Sequence, residues 1–339
     1  MAAIYCHYGS LNWPNFQGLF MLDLTIAIVN YRTGGLTIDC LSSVIADPSM
    51  PVNTRIVVAD AVSNDGSSEM IANAITTNNW GERVSLIDLP RNGGFAYGNN
   101  RAIEFAEALW GKSKAYLLLN PDTVVRSGAI GALSIFLADN PKVGIAGSAL
   151  EEPDGTAQAC SFRFPSPLSE LEGEARVGPI TRMLLKWRVV LPTGTVPSPA
   201  QWVSGASMMI RREVFDHIGG LDEEYFLYYE ELDFCQRAVD AGWHCWTVPQ
   251  SRVVHLCGQS TGINDTKPQL SRRPTYWFDS RSRYFAKHHG HWGRALADFT
   301  WVFGQVIWQT RQMLQRRPNN DPPYLLQDFL AHRASWAGK

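Results

Sequence analysis

Short apolar runs recur along the first half of this chain, and the segments between them carry apolar residues at helical spacing. The runs cover 24–31, 55–60, 84–88, 115–119 and 143–147, and their starts lie roughly thirty residues apart, the length of a βα unit. Ile38, Leu41, Val44 and Ile45 share one helical face. So do Ile103, Ala106, Leu109 and Trp110, and again Ile130, Leu133, Phe136 and Leu137. The runs are apolar at successive positions, as strands buried on both faces of a parallel sheet require. The pattern therefore predicts an α/β fold: a Rossmann-like, mostly parallel sheet flanked by helices, with ligands at the carboxyl ends of the strands.

The rhythm stops after Leu150. Seven prolines between 151 and 202 argue against long regular elements, so loops and short helices are expected there. Order resumes at Trp202, followed by a helix near 212–217 and a dense acidic and aromatic cluster. From Arg272 the chain is aromatic and basic, and 296–314 reads as one amphipathic helix ending in a helical tail. Residues 1–22 show no period, and Met21 directly precedes the first strand, so the natural start is expected at Met21. The expected division is 1–22 as an N-terminal extension, 23–150 as a ligand-binding α/β half, 151–290 as a second half that shapes a substrate pocket, and 291–339 as a basic amphipathic tail.

Composition narrows the classes. The 339 residues suit one large domain or two modest ones, and 45% hydrophobic residues against 18% charged exclude a wholly disordered chain. A net charge of -2 argues against a nucleic-acid binder. No apolar stretch is long enough to span a membrane, and the start lacks the pattern of a signal peptide. The six cysteines form no C-x-x-C pair, so a reducing, cytoplasmic setting is expected. From Arg281 onward nine Lys/Arg face three Asp/Glu, which fits an anionic partner such as the inner face of the cell membrane.

Candidate chemistry gathers at the predicted strand ends: Asn30 and Tyr31, Asp60, then Asn120-Pro121-Asp122. A carboxylate at a strand end beside a proline turn is a good ligand for a hard cation. The segment RNGGFAYGNNRA (91–102) opens a helix, so its backbone N–H groups are placed to meet an anion. It is neither G-x-G-x-x-G nor a P-loop, which counts against a dehydrogenase and an ATPase. In LDEEYFLYYEELDFCQR (221–237) six acids surround the aromatics Tyr225, Phe226, Tyr228 and Tyr229, a setting that desolvates a carboxylate toward use as a general base. His255 follows an apolar pair. His288, His289 and His291 read as a basic, solvated helix end.

Together these residues resemble the inverting family-2 glycosyltransferases of GT-A fold, in particular the bacterial rhamnosyltransferase-like branch. The resemblance runs from about 24 to about 290. IVNYR (28–32) resembles the first nucleotide contact, which implies roles for Asn30, Tyr31 and Arg32. VVADAVSNDGS (57–67) resembles the second, with Asp60 reading the base. NGGFAYGNN (92–100) resembles the loop after the third strand, with Asn92, Gly93, Gly94, Phe95 and Asn99 at the donor. LLNPDT (118–123) resembles the metal motif, with Asn120 beside a metal-binding Asp122, and His255 stands where many members place a further metal ligand. The stretch 205–243 resembles the acceptor and catalytic region.

Three departures stand out. Ala61 replaces the usual Asn after the base-reading acid, Asn120 replaces a carboxylate, and the usual Glu-Asp pair reads Glu230-Glu231. The catalytic candidates are therefore Glu231, Asp233 and Glu230. The resemblance implies Mg²⁺ or Mn²⁺, a dTDP- or UDP-linked donor, a glycan or lipid-linked acceptor, and cell-surface polysaccharide as the product. Peripheral membrane contact is expected through 291–339. A sugar-nucleotide pyrophosphorylase lacks support, since no phosphate loop follows the first strand. A non-catalytic nucleotide- or polysaccharide-binding homologue is the alternative that the Glu230-Glu231 departure keeps open.

Overall fold

The computed structural model describes residues 5–7, 21–256, 271–316, 318–319 and 321–336. The first half contains β1 (Tyr5–His7), β2 (Leu22–Asn30), α1 (Gly34–Ala46), β3 (Thr54–Asp60), α2 (Ser67–Thr77) and β4 (Val84–Asp88). It continues with α3 (Gly94–Trp110), β5 (Ser113–Leu119), β6 (Thr123–Val125), α4 (Ala129–Asp139) and β7 (Val143–Glu151). Short elements follow: β8 (Ser161–Phe162), α5 (Pro167–Ala175), α6 (Gly178–Met183), a 3-10 turn (Leu185–Trp187), β9 (Ser198–Ala200) and β10 (Trp202–Val203). The chain closes with β11 (Ser207–Arg211), α7 (Arg212–Ile218), α8 (Glu230–Asp240), β12 (His244–His255), α9 (Thr275–Gln315) and α10 (Leu325–Trp336).

Nine strands of the main sheet run in the order β1-β4-β3-β2-β5-β11-β7-β12-β6, and β9 adds to β12. The pairs from β1 to β5 are parallel, and β11 enters antiparallel between β5 and β7. The five predicted strands lie in this sheet. The period of two sorts their residues: Leu24, Ile26, Ile28, Ile56 and Val58 join one core with α1, α2 and α4. Ala27, Val57 and Ala59 join the other, under α3 and α8. Both faces are covered, which is why these runs read as continuously apolar. Each fully buried Ile or Leu there contributes about 1.5–3 kcal/mol.

Two expectations change. Residues 5–7 fall in a stretch without period, yet they pair in parallel with Leu86–Asp88 at the sheet edge. The helix expected at 296–314 is part of α9, which is broken at Gly290 (φ 68°, ψ 178°). Its second half is not a detached tail. Arg281, almost fully buried, binds Glu170 of α5 (2.6 Å) and Asp298 beyond the break (2.7 Å). A Cβ on Gly304 would lie 2.8 Å from Glu174, so the helices approach at glycine distance. The apolar face Leu296, Phe299, Phe303 and Val306 is exposed, and the buried face is Ala297, Thr300, Trp301, Gly304 and Gln305.

Candidate active site

The site is built at the carboxyl ends of the strands. In-register pairing of β2 and β3 sets Asn30 beside Asp60. The Asn30 amide donates to Asp60 (2.6 Å) and Ser63 Oγ (3.1 Å), and its oxygen accepts from Thr33 and Thr37. Asp60 also accepts from the Ser63 hydroxyl (2.5 Å) and Ser63 N–H (2.9 Å). Both side chains are buried and serve to brace the loops after β2 and β3. Arg32 and Val62 in those loops have left-handed backbone (φ 57° and 60°), a conformation that such bracing sustains. Arg32 is tied to Ser63 by its N–H and its Nε.

In front of these loops lies a cavity of about 600 Å³. Of the candidates from sequence, Tyr31, Asn92, Gly94, Phe95, Asn120, Asp122, Glu230, Glu231 and His255 line it, as does Ala61. Asn30, Arg32, Asp60, Gly93, Asn99 and Asp233 do not line it. The expected role of 91–102 as an open anion-receiving helix start is corrected in part. The Gly94 N–H goes to Asn92 Oδ1 (3.1 Å) and the Phe95 N–H to the Phe226 carbonyl (3.1 Å). Asn99 turns back on its own helix, donating to the Phe95 carbonyl.

One corner of the cavity is set by strand register. β6 runs antiparallel to the end of β12, pairing Thr123 with His255. The Leu256 N–H then reaches the Asp122 carbonyl (2.9 Å). His255 Nε2 consequently lies 3.5 Å from Asp122 Oδ1 and 3.4 Å from the Asn120 amide nitrogen. Asp122 is almost fully buried. A carboxylate oxygen and an imidazole nitrogen thus converge on one point of the cavity wall, and they fit a divalent cation. Among the described residues no third His, Cys, Asp or Glu joins them. Such a cation would take its other ligands from phosphate oxygens and water, the usual habit of Mg²⁺.

Another part of the wall is the start of α8. Tyr228 and Tyr229, both left-handed (φ 68° and 70°), deliver the chain into the helix, and Glu230 and Glu231 are its first two residues. Burial pushes the Glu230 carboxyl well above the usual carboxylate range, and the neighbouring Glu231 charge adds to this. Burial likewise raises Glu231. Glu230 Oε2 and Glu231 Oε2 are enclosed without a hydrogen-bond partner among the described residues. Buried polar atoms left unpaired are uncommon and mark a site with a use for them. Gly205 makes room for this wall: a Cβ there would stand 3.3 Å from Glu231 Cβ and from Phe95 Cζ.

Asp233 sits one turn further into α8 and faces away. It is fully buried and accepts from Arg237 Nε (2.9 Å), Lys287 Nζ (2.8 Å) and His288 Nε2 (2.7 Å). Although burial alone would raise its carboxyl, the hydrogen bonds from these three donors hold it far below the usual range. The expectation of a solvated histidine cluster is corrected at His288, which is enclosed against Asp233. Sequence reasoning missed Ser204, Phe226, Leu227, Tyr228 and Tyr276 as cavity-lining residues. The Tyr residues of 225–229 were visible as a cluster. Nothing local marked Tyr276, which arrives from α9 to stack near Tyr228 (ring centroids 6.2 Å apart).

Comparison with known proteins agrees with this arrangement. The profile of the glycosyltransferase-like family 2 matches residues 23–273. The N-acetylglucosaminyl-diphospho-decaprenol L-rhamnosyltransferase of Mycobacterium tuberculosis is 28% identical, over 80% of this chain and 87% of its own. A low-salt glycan biosynthesis hexosyltransferase of Haloferax volcanii is 30% identical, over 84% of this chain and 81% of its own. Among solved structures, a mannosyltransferase from Pyrobaculum calidifontis, in complex with GDP-Man and Mn²⁺, superposes with a TM-score of 0.55 at 14% identity. The match covers 95% of this chain and 82% of that one, and it carries the GT-A fold. This chain belongs to the family-2 glycosyltransferases.

Proposed function

We propose that this glycosyltransferase moves rhamnose or a related hexose from a dTDP- or UDP-linked donor to a glycan or lipid-linked acceptor, with inversion at the anomeric carbon. The observation that carries the proposal is one cavity lined by two chemically different groups. Asp122 and His255 converge at one point of its wall, and Glu230 and Glu231, each with an enclosed and unpaired Oε2, also line it. Tyr31, Asn92 and Asn120 line the donor side, and the loops braced by Asn30 and Asp60 shape it. Phe95, Phe226, Tyr228 and Tyr276 give the acceptor side an aromatic wall suited to the apolar face of a sugar ring.

Glu231 is the general base. Its carboxylate accepts the proton of the acceptor hydroxyl as that oxygen bonds to the anomeric carbon and the nucleoside diphosphate departs. Burial raises the proton affinity of Glu231, and Glu230, raised by burial and by the charge of Glu231, stands beside it. Asp122 and His255, with Asn120 beside them, would hold Mg²⁺ or Mn²⁺, which when bound supplies Lewis-acid stabilisation of the leaving diphosphate. The Mn²⁺ of the mannosyltransferase structure supports this reading. Asp233 is not assigned as the base, because its oxygens are committed to donors from Arg237, Lys287 and His288 and it lies outside the cavity.

A lipid-linked acceptor is supported by the decaprenol acceptor in the name of the mycobacterial relative. No helix among the described residues is long and apolar enough to cross a membrane. The exposed stripe Trp292, Leu296, Phe299, Phe303 and Val306 on α9 carries no charge, and Arg294 and Arg316 flank it. We assign this stripe to peripheral contact with an anionic lipid surface.

The test is donor turnover by two variants. Asp122→Ala and Glu231→Gln are each expected to lose most of kcat, about 10²-fold or more, while keeping the wild-type melting temperature within a few degrees. Near-normal kcat in folded Glu231→Gln refutes the base assignment. Wild-type turnover in EDTA refutes the metal assignment.

A further inference from the structure

The two active-site glutamates have no side-chain anchor of their own at Oε2, so their aim depends on where the backbone of α8 begins. That start is approached through two left-handed tyrosines, a backbone that persists only where its surroundings over-determine it. What holds it comes from α9. Lys287 Nζ lies 2.8 Å from a carboxylate oxygen of Asp233 on α8 and also 2.8 Å from one of Asp222 in the preceding loop. His288 Nε2 donates to Asp233 at 2.7 Å. Lys287 therefore straps loop to helix, and His288 pins the helix to α9. Ser280, one helical stretch earlier, donates to the Leu227 carbonyl (3.0 Å) between the two anchors.

We propose that Lys287 and His288 are positioning residues for the transfer reaction, acting through Asp233 and Asp222 to set the aim of Glu231. This rests on the assignment of Glu231 as the base. Neither residue lines the cavity. Their effect on rate therefore passes through the carboxylates they hold. Asp233 is fully buried, so losing one of its three donors leaves its charge less well compensated, and the helix start relaxes toward the partners that remain. A displacement of about 1 Å at a reacting group costs on the order of 10²-fold in rate, far more than its effect on donor binding.

The experiment compares His288→Ala, His288→Gln, Lys287→Met and Lys287→Arg in the full chain, with Glu231→Gln and the double variant His288→Ala/Glu231→Gln. Two readouts are taken: amide hydrogen exchange at 226–232, and release of dTDP from dTDP-rhamnose. Expected are faster exchange at 226–232 in His288→Ala and Lys287→Met, with 22–60 unchanged. Their kcat should fall about 10- to 100-fold at a donor KM within twofold of wild type. His288→Gln and Lys287→Arg, which still donate to the carboxylates, restore most of both. In the Glu231→Gln background His288→Ala should cost little more, because the two act as one unit. Unchanged exchange at 226–232 in His288→Ala and Lys287→Met overturns the proposal. So does a full loss on top of Glu231→Gln, which marks a general structural role. If Glu231→Gln itself keeps its kcat, the base assignment has failed, and the exchange data still judge the strap.

Discussion

Gly94 joins the donor loop to the catalytic loop, and adding one methyl there should separate them. Its backbone is left-handed (φ 84°), and an ideal Cβ would stand 1.7 Å from the Phe226 carbonyl oxygen. A comfortable C···O separation is about 3.3 Å, so the two loops must part by roughly 1.6 Å. That movement breaks the Phe95 N–H bond to the same carbonyl. The lost hydrogen bond costs about 0.5–1.5 kcal/mol and the left-handed alanine about 1–2 kcal/mol. Gly94→Ala should therefore be destabilised by roughly 1.5–3.5 kcal/mol, a fall in Tm of about 2–5 °C for a chain of this length. Phe226 lies four residues before Glu230, so the shift also reaches the glutamates, and kcat should fall about 10²-fold. Gly155 provides the control. It has the same backbone (φ 89°), but its Cβ would meet nothing within 4 Å. Gly155→Ala should show the backbone cost alone, with kcat unchanged. Differential scanning calorimetry and donor turnover on both variants decide the matter. If Gly94→Ala and Gly155→Ala behave alike, the contact between the loops does not carry the geometry argued here.

Two further outcomes follow from charge and exposure. The raised carboxyls of Glu230 and Glu231 bind protons in the folded state that the unfolded chain has released above about 4.5. Stability is therefore lost as pH rises from that value through the folded pKa values, and Glu230→Gln should raise Tm at pH 7.5 with little effect at pH 4.5. The same shift puts the acid limb of kcat above the usual carboxylate range, and a limb centred near 4.5 would contradict it. On the membrane side, the full chain should float with anionic liposomes, and Phe299→Ser/Phe303→Ser should reduce flotation while leaving donor turnover in solution intact. Equal flotation of both removes the stripe as a contact surface.

The parallel half of the fold was legible because its signal is local. Each strand from β2 to β5 is an apolar run closed by a polar residue, and each helix between them repeats at its own period. β11 was not legible as an antiparallel insertion, since a strand's direction depends on its neighbours and not on its own residues. What covers each face of α9 was not legible for a related reason. Periodicity detects an apolar face but not what covers it, and here the covered face is the smaller one, cut to fit α5 with Ala297 and Gly304. At the site, Asp122 and His255 were separately visible, and the β6–β12 register supplies what places them 3.5 Å apart. Asp60 and Asn30 were visible as strand-end polar residues, yet their side chains are spent on each other. Asp233 and Glu231 were indistinguishable as bases in one acidic run. Two positions along a helix turn them to different surroundings, one to cations and one to the cavity.

The Glu231 departure raises the question of whether this pocket is an impaired Asp site or a site built for the longer side chain. Several features favour the second. Gly205 withdraws its bulk to leave ordinary contact with Glu231 Cβ, and Phe95 closes over the same gap. Glu231 Oε2 is enclosed without strain from a competing donor. The start of α8 offers partial positive charge that opposes the cost of burying an anion, by about 0.3–1 kcal/mol. Burial pushes the other way, and a base needs its proton affinity between these limits. Glu231→Asp tests the point directly. It withdraws the carboxylate by about one bond, some 1.5 Å, from wherever the acceptor hydroxyl is held. In a site built for Glu, kcat should fall about 10²-fold at unchanged donor KM, comparable to Glu231→Gln. In an impaired Asp site, the same substitution should raise kcat above wild type. A gain of activity in Glu231→Asp would mean that the loops around α8 still hold the acceptor for a shorter base, and that Glu231 is the defect.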